Sequence, residues 1–120
     1  IKNLFAQTKY TKYEKKLSWY QRLIENYIAQ FKEKQIKSSG YIVDTLEAVF
    51  WVLLTTNSYQ AAVLKAVNLG QDTDTVAAVA GGLAGIYYGC EQIPAAWRAQ
   101  LARKDEITTL INKFNSKYFD

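Results

Sequence analysis

A chain of 120 residues with a net charge of +4 is long enough for one domain and too short for two. Apolar residues make up 49% and aromatic residues 14%, so the chain can bury a core and is too apolar to be disordered. It has no histidine and a single cysteine, Cys90. These counts exclude the usual zinc sites, an intramolecular disulfide, and a Ser–His or Cys–His catalytic couple within the chain.

The composition also bears on where the protein works. A lone cysteine favours a reducing compartment, so we expect a cytoplasmic protein. The longest uncharged stretch tested, residues 75–90, is shorter than the roughly 18 residues of a membrane-spanning helix, and no membrane partner is expected. The chain starts at Ile1 and contains no methionine, whereas a translation product begins with one. We therefore expect a piece of a longer protein or a processed chain.

The hydrophobic pattern predicts an all-α fold of about six helices. One proline and six glycines are too few for an all-β protein with many tight turns. Residues 10–31 form the first predicted helix, because apolar side chains recur there every three or four residues. Its basic residues fall mainly off that stripe, and its aromatic residues follow the core period. A solvated face is therefore favoured over nucleic-acid binding, which needs basic residues interleaved with exposed aromatics.

Two further helices are predicted in the middle of the chain. Residues 41–55 are apolar on nearly every side, which is typical of a helix buried inside a larger helical body. Ser38-Ser39-Gly40 is a turn signal whose serines can cap that helix. Ser58 can cap a third helix over residues 59–69, which Gly70 ends in a left-handed conformation.

A fourth helix is predicted to open within residues 71–75 and to run through Tyr88. Small residues recur at every fourth position of one face: Ala77, Gly81, Gly85 and Gly89. Glycine inside a helix costs about 1 kcal/mol relative to alanine, so this stripe needs a compensating gain. We favour close approach of a neighbouring helix, and room for a ligand is the alternative.

The last two predicted helices lie in the C-terminal quarter of the chain. Pro94 suits the first turn of a short helix over residues 94–101. Asp105 begins the final helix, and one apolar face is formed by Ile107, Leu110, Ile111 and Phe114. No internal repeat is visible, so residues 1–120 are expected to belong to one domain.

The run Asp72-Thr73-Asp74-Thr75 is the sharpest candidate for chemistry. Two carboxylates and a hydroxyl at a helix start can converge, and all are oxygen ligands of the kind that Mg²⁺ and Mn²⁺ prefer. Asp and Thr are also common helix caps, and acids favour helix N-termini, so spacing alone favours capping. A complete Mg²⁺ site would need donors from elsewhere, and the sequence has no second acidic cluster of that kind.

Ser39-Gly40-Tyr41 is a second, weaker candidate. A glycine before a buried helix lets the backbone approach a ligand closely, and an adjacent tyrosine can stack on a base or sugar. On the pattern alone, a tyrosine of the core is the better explanation.

Residues 38–97 closely resemble the ADP-ribosylglycohydrolase family, which includes bacterial dinitrogenase reductase-activating glycohydrolases and animal ADP-ribosyl-acceptor hydrolases. The most specific part is the run G-x-D-T-D-T-x-A-x-x-A-G-G-L-A-G over residues 70–85. The resemblance implies an all-α fold with two Mg²⁺ (or Mn²⁺) ions in a cleft. There, the two ions hold the ribose hydroxyls and a water that attacks the anomeric carbon of an ADP-ribosylated side chain.

The resemblance also implies roles for particular residues. The positions that match the family's C-terminal metal ligands are Asp72, Asp74 and Thr75. Those that match its ADP-ribose contacts are Ser39, Gly40 and Tyr41, with Tyr41 as the stacking residue. Gln71 departs from the glycine or aspartate of many relatives, and we expect it to be tolerated.

The family's N-terminal motifs are absent from this sequence. They comprise a G-D-A-x-G segment, a T-D-D-type metal motif and the acidic catalytic group, so no catalytic residue is assigned here. We expect the C-terminal part of a Mg²⁺-dependent hydrolase that acts on ADP-ribosylated protein. It would be inactive by itself and would need the missing N-terminal segment or self-association. The alternative is a non-catalytic relative, crystallin-like or ADP-ribose-binding, but retention of all three metal-ligand residues favours descent from an active enzyme.

Overall fold

The computed structural model describes residues 17–25 and 27–119, and these ranges contain helices and no strand, which confirms the all-α prediction. The α-helices are α1 (Gln21–Ile24), α2 (Ile42–Leu54), α3 (Tyr59–Val67), α4 (Thr73–Tyr88), α5 (Ala95–Ala99) and α6 (Lys104–Tyr118). Short 3₁₀ turns cover Ser18–Tyr20, Ile28–Gln30, Glu33–Gln35 and Cys90–Gln92. From α2 onward, the predicted helix ends agree with the observed ones to within about two residues, the usual uncertainty of helix boundaries.

The predicted first helix over residues 10–31 is wrong in its second half, and residues 10–16 lie outside the described ranges. Helix α1 ends at Ile24, and a 3₁₀ turn over Ile28–Gln30 follows. Phe31 is then extended, with ψ of 144°, and its carbonyl oxygen accepts a 2.8 Å hydrogen bond from the Trp51 indole nitrogen. Packing of this segment against α2 therefore overrides the helical period of its side chains.

The core lies among α2, α3 and α4, and α3 packs most extensively against α4. The fully buried apolar residues of these helices are Ala48, Val49, Val52, Ala62, Ala66, Val76, Ala80 and Ala84. On α3 and α4 the buried positions are four residues apart, which places them on one helix face. Alanine at most of these positions lets the two helices approach closely.

Helix α2 is buried in its middle and exposed at its two ends. Val49 and Val52 have no exposed surface, whereas Ile42 and Leu54 are 68% and 59% exposed. This apolar helix was expected to be buried on all sides, and that expectation holds for its central turns but not for its two ends.

The glycine stripe of α4 faces α3, as the packing interpretation requires. A Cβ atom at Gly81 would lie 3.5 Å from the Tyr59 hydroxyl oxygen and 3.6 Å from Val63 Cγ2. At Gly85 it would lie 3.8 Å from Cε2 of the same Tyr59 ring. Gly89 serves another purpose, because it follows the last residue of α4 with a φ of 87°.

Helix α6 is exposed along its whole length. The predicted apolar face is present in the helix but is not covered, with exposures from 38% to 69% at Ile107, Leu110, Ile111 and Phe114. Across the described ranges, no helix combines the length and the apolar character needed to span a bilayer.

Candidate metal and ligand site

The two candidate clusters lie next to each other in the fold. The loop before α2 and the loop before α4 are joined by a 3.0 Å hydrogen bond from the Asp72 backbone N–H to the Ser38 carbonyl oxygen. The Ser38 hydroxyl donates a 2.8 Å hydrogen bond to the Gly70 carbonyl oxygen. The N-terminal ends of α2 and α4 therefore meet at one place, and each brings a candidate cluster to it.

Gly40 lies directly against the Asp72 carboxylate. A Cβ atom at Gly40 would be 2.8 Å from Asp72 Oδ2, which is closer than Cβ atoms approach other groups in proteins. The sequence predicted that this glycine lets the backbone approach a ligand. In the structure, the group that it approaches is a predicted metal ligand of the other loop.

The Asp72 carboxylate does not cap α4, although Asp72 occupies the N-cap position and makes no side-chain bond to the helix backbone. Its Oδ1 atom instead accepts a 2.9 Å hydrogen bond from the Thr75 hydroxyl. The capping role that spacing favoured is therefore wrong for Asp72. Its two oxygen atoms face Thr75 and Gly40.

Asp74 lies beside Asp72 in the first turn of α4 and is exposed. The neighbouring Asp72 carboxyl group, followed by the backbone N–H groups of Thr75 and Asp74, holds the pKa of the Asp74 carboxyl below its usual range. Asp74 is therefore ionised at neutral pH.

Tyr41 is 53% exposed, so the core interpretation of this residue is wrong. Its backbone N–H donates a 3.2 Å hydrogen bond to the Ser39 hydroxyl oxygen, and that hydroxyl donates a 2.6 Å hydrogen bond to Asp44 Oδ2. The Thr45 hydroxyl also donates to the Ser39 carbonyl oxygen at 3.1 Å. Side chains in the first turns of α2 thus hold the loop that carries Tyr41.

Sequence reasoning assigned Ser38 another role. The serines before α2 were expected to cap it, but its N-cap residue is Tyr41, which makes no side-chain cap bond. Ser58, by contrast, caps α3 as predicted, since its hydroxyl accepts a 3.2 Å hydrogen bond from the Ala61 N–H. The one feature of the sequence that could have drawn attention to Ser38 is its position directly before the second candidate cluster, Ser39-Gly40-Tyr41.

The backbone between Gly70 and Asp72 is left-handed at two successive residues. Gly70 has a φ of 83°, which confirms its predicted left-handed conformation, although α3 already ends at Val67, and Gln71 has a φ of 55°. Glycine, and to a lesser degree asparagine or aspartate, adopts this conformation at low cost. The conformation explains why glycine or aspartate suits this position better than glutamine.

The donor set fits a hard divalent cation only in part. Asp72 and Asp74 supply carboxylate oxygens and Thr75 a hydroxyl, which are ligands suited to Mg²⁺ or Mn²⁺. Over residues 17–25 and 27–119, no three acidic, histidine or cysteine side chains come together as a metal site. An octahedral ion held here would need further oxygen donors.

Comparison with a family profile and with individual proteins points to the same family. The sequence profile described as ADP-ribosylglycohydrolase matches residues 1–119. The chain is 44% identical over 84 residues to the ADP-ribosylarginine hydrolase of Serratia proteamaculans. The aligned region covers 68% of this chain and 23% of that protein. It is 40% identical over 76 residues to the ADP-ribosyl-[dinitrogen reductase] glycohydrolase of Rhodospirillum rubrum, covering 63% and 26%.

A more distant similarity extends to animals. The chain is 43% identical over 56 residues to an ADP-ribosylhydrolase of Bos taurus, covering 47% of this chain and 15% of that protein. The matched part is therefore between 15% and 26% of the length of these relatives. With the profile covering nearly all of its residues, the chain belongs to the ADP-ribosylglycohydrolase family.

Proposed function

We propose that this chain is the C-terminal part of a Mg²⁺-dependent hydrolase that removes ADP-ribose from modified protein side chains. The observation that carries the proposal is the contact of Gly40 with the Asp72 carboxylate, which unites the two candidate clusters. Relatives named as hydrolases of ADP-ribosylarginine and of ADP-ribosylated dinitrogen reductase support it. A cytoplasmic location is part of the proposal and rests on Cys90, a free cysteine.

In this proposal, the loop and first turn of α4 hold metal. The carboxylates of Asp72 and Asp74 and the hydroxyl of Thr75 would be ligands, and the lowered pKa keeps Asp74 charged for that purpose. Bound Mg²⁺ or Mn²⁺ would supply Lewis acidity, which lowers the pKa of a bound water and orients hydroxyl groups of a ribose. The Thr75 hydroxyl, which donates to Asp72 Oδ1, holds that carboxylate beside the first turn of α4.

The loop before α2 would contact the ADP-ribose. Tyr41 presents a half-exposed ring that is able to stack on a base or sugar. Gly40 brings the loop backbone against Asp72, so a ligand on Tyr41 would lie near the metal ligands. The hydrogen bonds from Ser39 and Tyr41 fix the loop for this contact.

The chain alone is proposed to be inactive. Its matched part covers about a quarter of each of the two bacterial relatives, and its described residues bring together only two acids at the site. Further ligands and a catalytic acid would come from the rest of the protein, on the same chain or on another one.

A complementation experiment tests the proposal. The 120-residue chain is mixed with the part of the Serratia proteamaculans relative that lies outside the match, and association is checked by sedimentation. Release of ADP-ribose from an ADP-ribosylarginine protein should require both pieces and Mg²⁺. Asp74→Asn should abolish release with little effect on melting, because asparagine would cap a helix about as well as aspartate but lacks the charge.

Three outcomes would contradict parts of this proposal. Turnover by the 120 residues alone would show that they are self-sufficient. Release at near-normal rates with Asp74→Asn would leave Asp74 as a helix-end residue only. Associated pieces that bind ADP-ribose without releasing it would favour the non-catalytic alternative.

A further inference from the structure

We propose that Ser38 is a positioning residue that fixes the Asp72 carboxylate within the candidate site. That this carboxylate binds metal is part of the proposed function, on which the inference rests. The restraint itself is argued from the contacts of Ser38 alone. This residue lies outside both candidate clusters, and it is buried, with 2% of its surface exposed.

Ser38 holds the loop before α4 at two points. Its hydroxyl donates to the Gly70 carbonyl oxygen at 2.8 Å, and its own carbonyl oxygen accepts from the Asp72 N–H at 3.0 Å. The Leu69 carbonyl oxygen is also near the hydroxyl, at 3.4 Å. One buried residue therefore binds both sides of Gln71.

The segment between these two points needs an external restraint. Gln71 adopts a φ of 55°, a left-handed conformation that is unfavourable for a residue other than glycine, asparagine or aspartate. Such a conformation persists where the surroundings hold it. The two hydrogen bonds of Ser38 supply that restraint, because they fix the carbonyl before Gln71 and the N–H after it.

The restraint reaches the carboxylate because the Asp72 side chain is not held by the backbone of its own helix, although the Asp72 carbonyl oxygen accepts a 3.2 Å hydrogen bond from the Val76 N–H. Asp72 has a φ of −87° and a ψ of 65°, outside the helical region, and its side chain makes no cap bond. Its Oδ1 atom accepts a hydrogen bond from the Thr75 hydroxyl, whereas Oδ2 faces Gly40 in the adjoining loop. The distance between the two loops, which Ser38 sets, therefore decides where Oδ2 lies.

The test compares Ser38→Ala with Ser58→Ala in the full 120-residue chain. Each change removes one serine hydroxyl hydrogen bond, but Ser58 caps α3 and does not contact the loop before α4. Amide hydrogen exchange is followed by NMR at Asp72, with the buried Val52 as the internal reference. Exchange at the buried Val52 reports the stability of the whole fold, whereas exchange at Asp72 reports opening of the loop that Ser38 holds.

We expect Ser38→Ala to accelerate exchange at Asp72 by about threefold to tenfold, the effect of one hydrogen bond. Ser58→Ala should leave exchange at Asp72 unchanged, whatever it does at Val52. Ser38→Cys, which nearly keeps the size but donates weakly, should behave like the alanine variant if the hydroxyl matters. Equal exchange at Asp72 in Ser38→Ala and Ser58→Ala would overturn the proposal.

Binding of Mn²⁺ alone, followed by electron paramagnetic resonance, separates this inference from the proposed function. Weaker Mn²⁺ binding by Ser38→Ala, with unchanged binding by Ser58→Ala, supports both. Changed exchange at Asp72 without any Mn²⁺ binding, either by the unmodified chain or by its complex with the remaining part of the Serratia proteamaculans relative, supports the restraint and contradicts the metal site. Unchanged exchange together with Mn²⁺ binding contradicts the restraint and leaves the metal site standing.

Discussion

At the residue scale, the site depends on how close two backbones come. Asp72 could have capped α4, and then its carboxylate would turn toward the helix N–H groups. Instead one oxygen is bound by the Thr75 hydroxyl and the other faces Gly40, where the absence of a side chain leaves room for it. Gly40 thus allows a close approach to Asp72, whose carboxylate does not cap α4.

The first residue-scale prediction concerns Gly40→Ala. The added methyl would lie 2.8 Å from Asp72 Oδ2, so the carboxylate must move. We expect weaker Mn²⁺ binding and a change of less than about 1 kcal/mol in the free energy of unfolding, because Gly40 is exposed and the crowded atom is the end of a side chain that can rotate. Both are measured on the 120-residue chain, by titration and by urea unfolding.

Gly82→Ala is the matched control for that variant. No atom lies within 4 Å of a Cβ at Gly82, which is inside α4, so alanine should add about 0.5–1 kcal/mol of stability. Wild-type Mn²⁺ binding in Gly40→Ala would show that the Asp72 carboxylate has no fixed place beside Gly40.

A second residue-scale prediction concerns the pH dependence of stability. Glu47 is buried and pairs with Arg22 at 3.0 Å; burial raises the pKa of its carboxyl above the ordinary 4.5, and Arg22 opposes the rise. The folded chain therefore binds this proton more tightly than the unfolded chain. The contribution of Glu47 to stability is full below pH 4.5 and declines as the pH rises through the raised pKa.

The variant Glu47→Gln isolates this effect. We expect the unmodified chain to lose stability relative to Glu47→Gln as the pH rises from 4 toward 7, because only the former must ionise a buried carboxyl. Urea unfolding of both proteins at several pH values measures the difference. A difference that grows in favour of the unmodified chain with rising pH would mean that Arg22 outweighs burial.

At the element scale, α2 and α4 do most to build the site, since both begin beside it. Their N-terminal ends carry partial positive charge from the aligned peptide dipoles, which suits the acids placed there. The relative position of these ends depends on the core that α2, α3 and α4 share. Close contact between α3 and α4 is therefore needed to hold the N-terminal ends of α2 and α4 in place at the site.

The element-scale prediction is that Gly81→Leu destabilises the chain. A methyl group fits at this position, but a leucine side chain would collide with Tyr59 and Val63 of α3. We expect a loss of about 1–3 kcal/mol, or aggregation, measured by thermal melting. The neighbouring Gly82→Leu, which meets open space, should melt near the wild-type temperature, and equal melting of both variants would mean that α3 does not press on this face.

At the scale of the whole molecule, much apolar surface is left uncovered. Besides the apolar face of α6, the outer side of α4 exposes a second row, formed by Val79, Leu83, Ile86 and Tyr87. Large exposed apolar patches mark surfaces that bind something else. The relatives contain several times the matched length, and the chain by itself has only other copies with which to cover these rows.

We therefore expect the isolated chain to form dimers or larger assemblies at micromolar concentration. Sedimentation measures this directly, and Leu110→Glu should weaken association by placing a charge on the apolar face of α6. Thr109→Glu, which lies off that face, is the control. A monomer that melts cooperatively would contradict this expectation and show that the described helices form a self-sufficient domain.

The sequence alone was sufficient for the helices from residue 42 onward. Their side-chain periods, the Ser58 cap and the left-handed Gly70 are local features, and each acts within a few residues of its own position. Local signals were misleading before α2, where the apolar period of residues 10–31 predicted one helix. The Phe31 carbonyl is instead bound by Trp51, a partner that no local pattern reveals.

The sequence also identified both candidate clusters, through residue types and a long specific motif, but it did not show that they meet. Their meeting depends on hydrogen bonds and one close contact between loops that are far apart in the chain. The same holds for the roles of Ser38 and Asp72, since a serine or an aspartate near a helix start is able to cap it or to bind another loop. Only the tertiary structure decides between these roles, because the choice is set by which neighbour the fold places within hydrogen-bond distance.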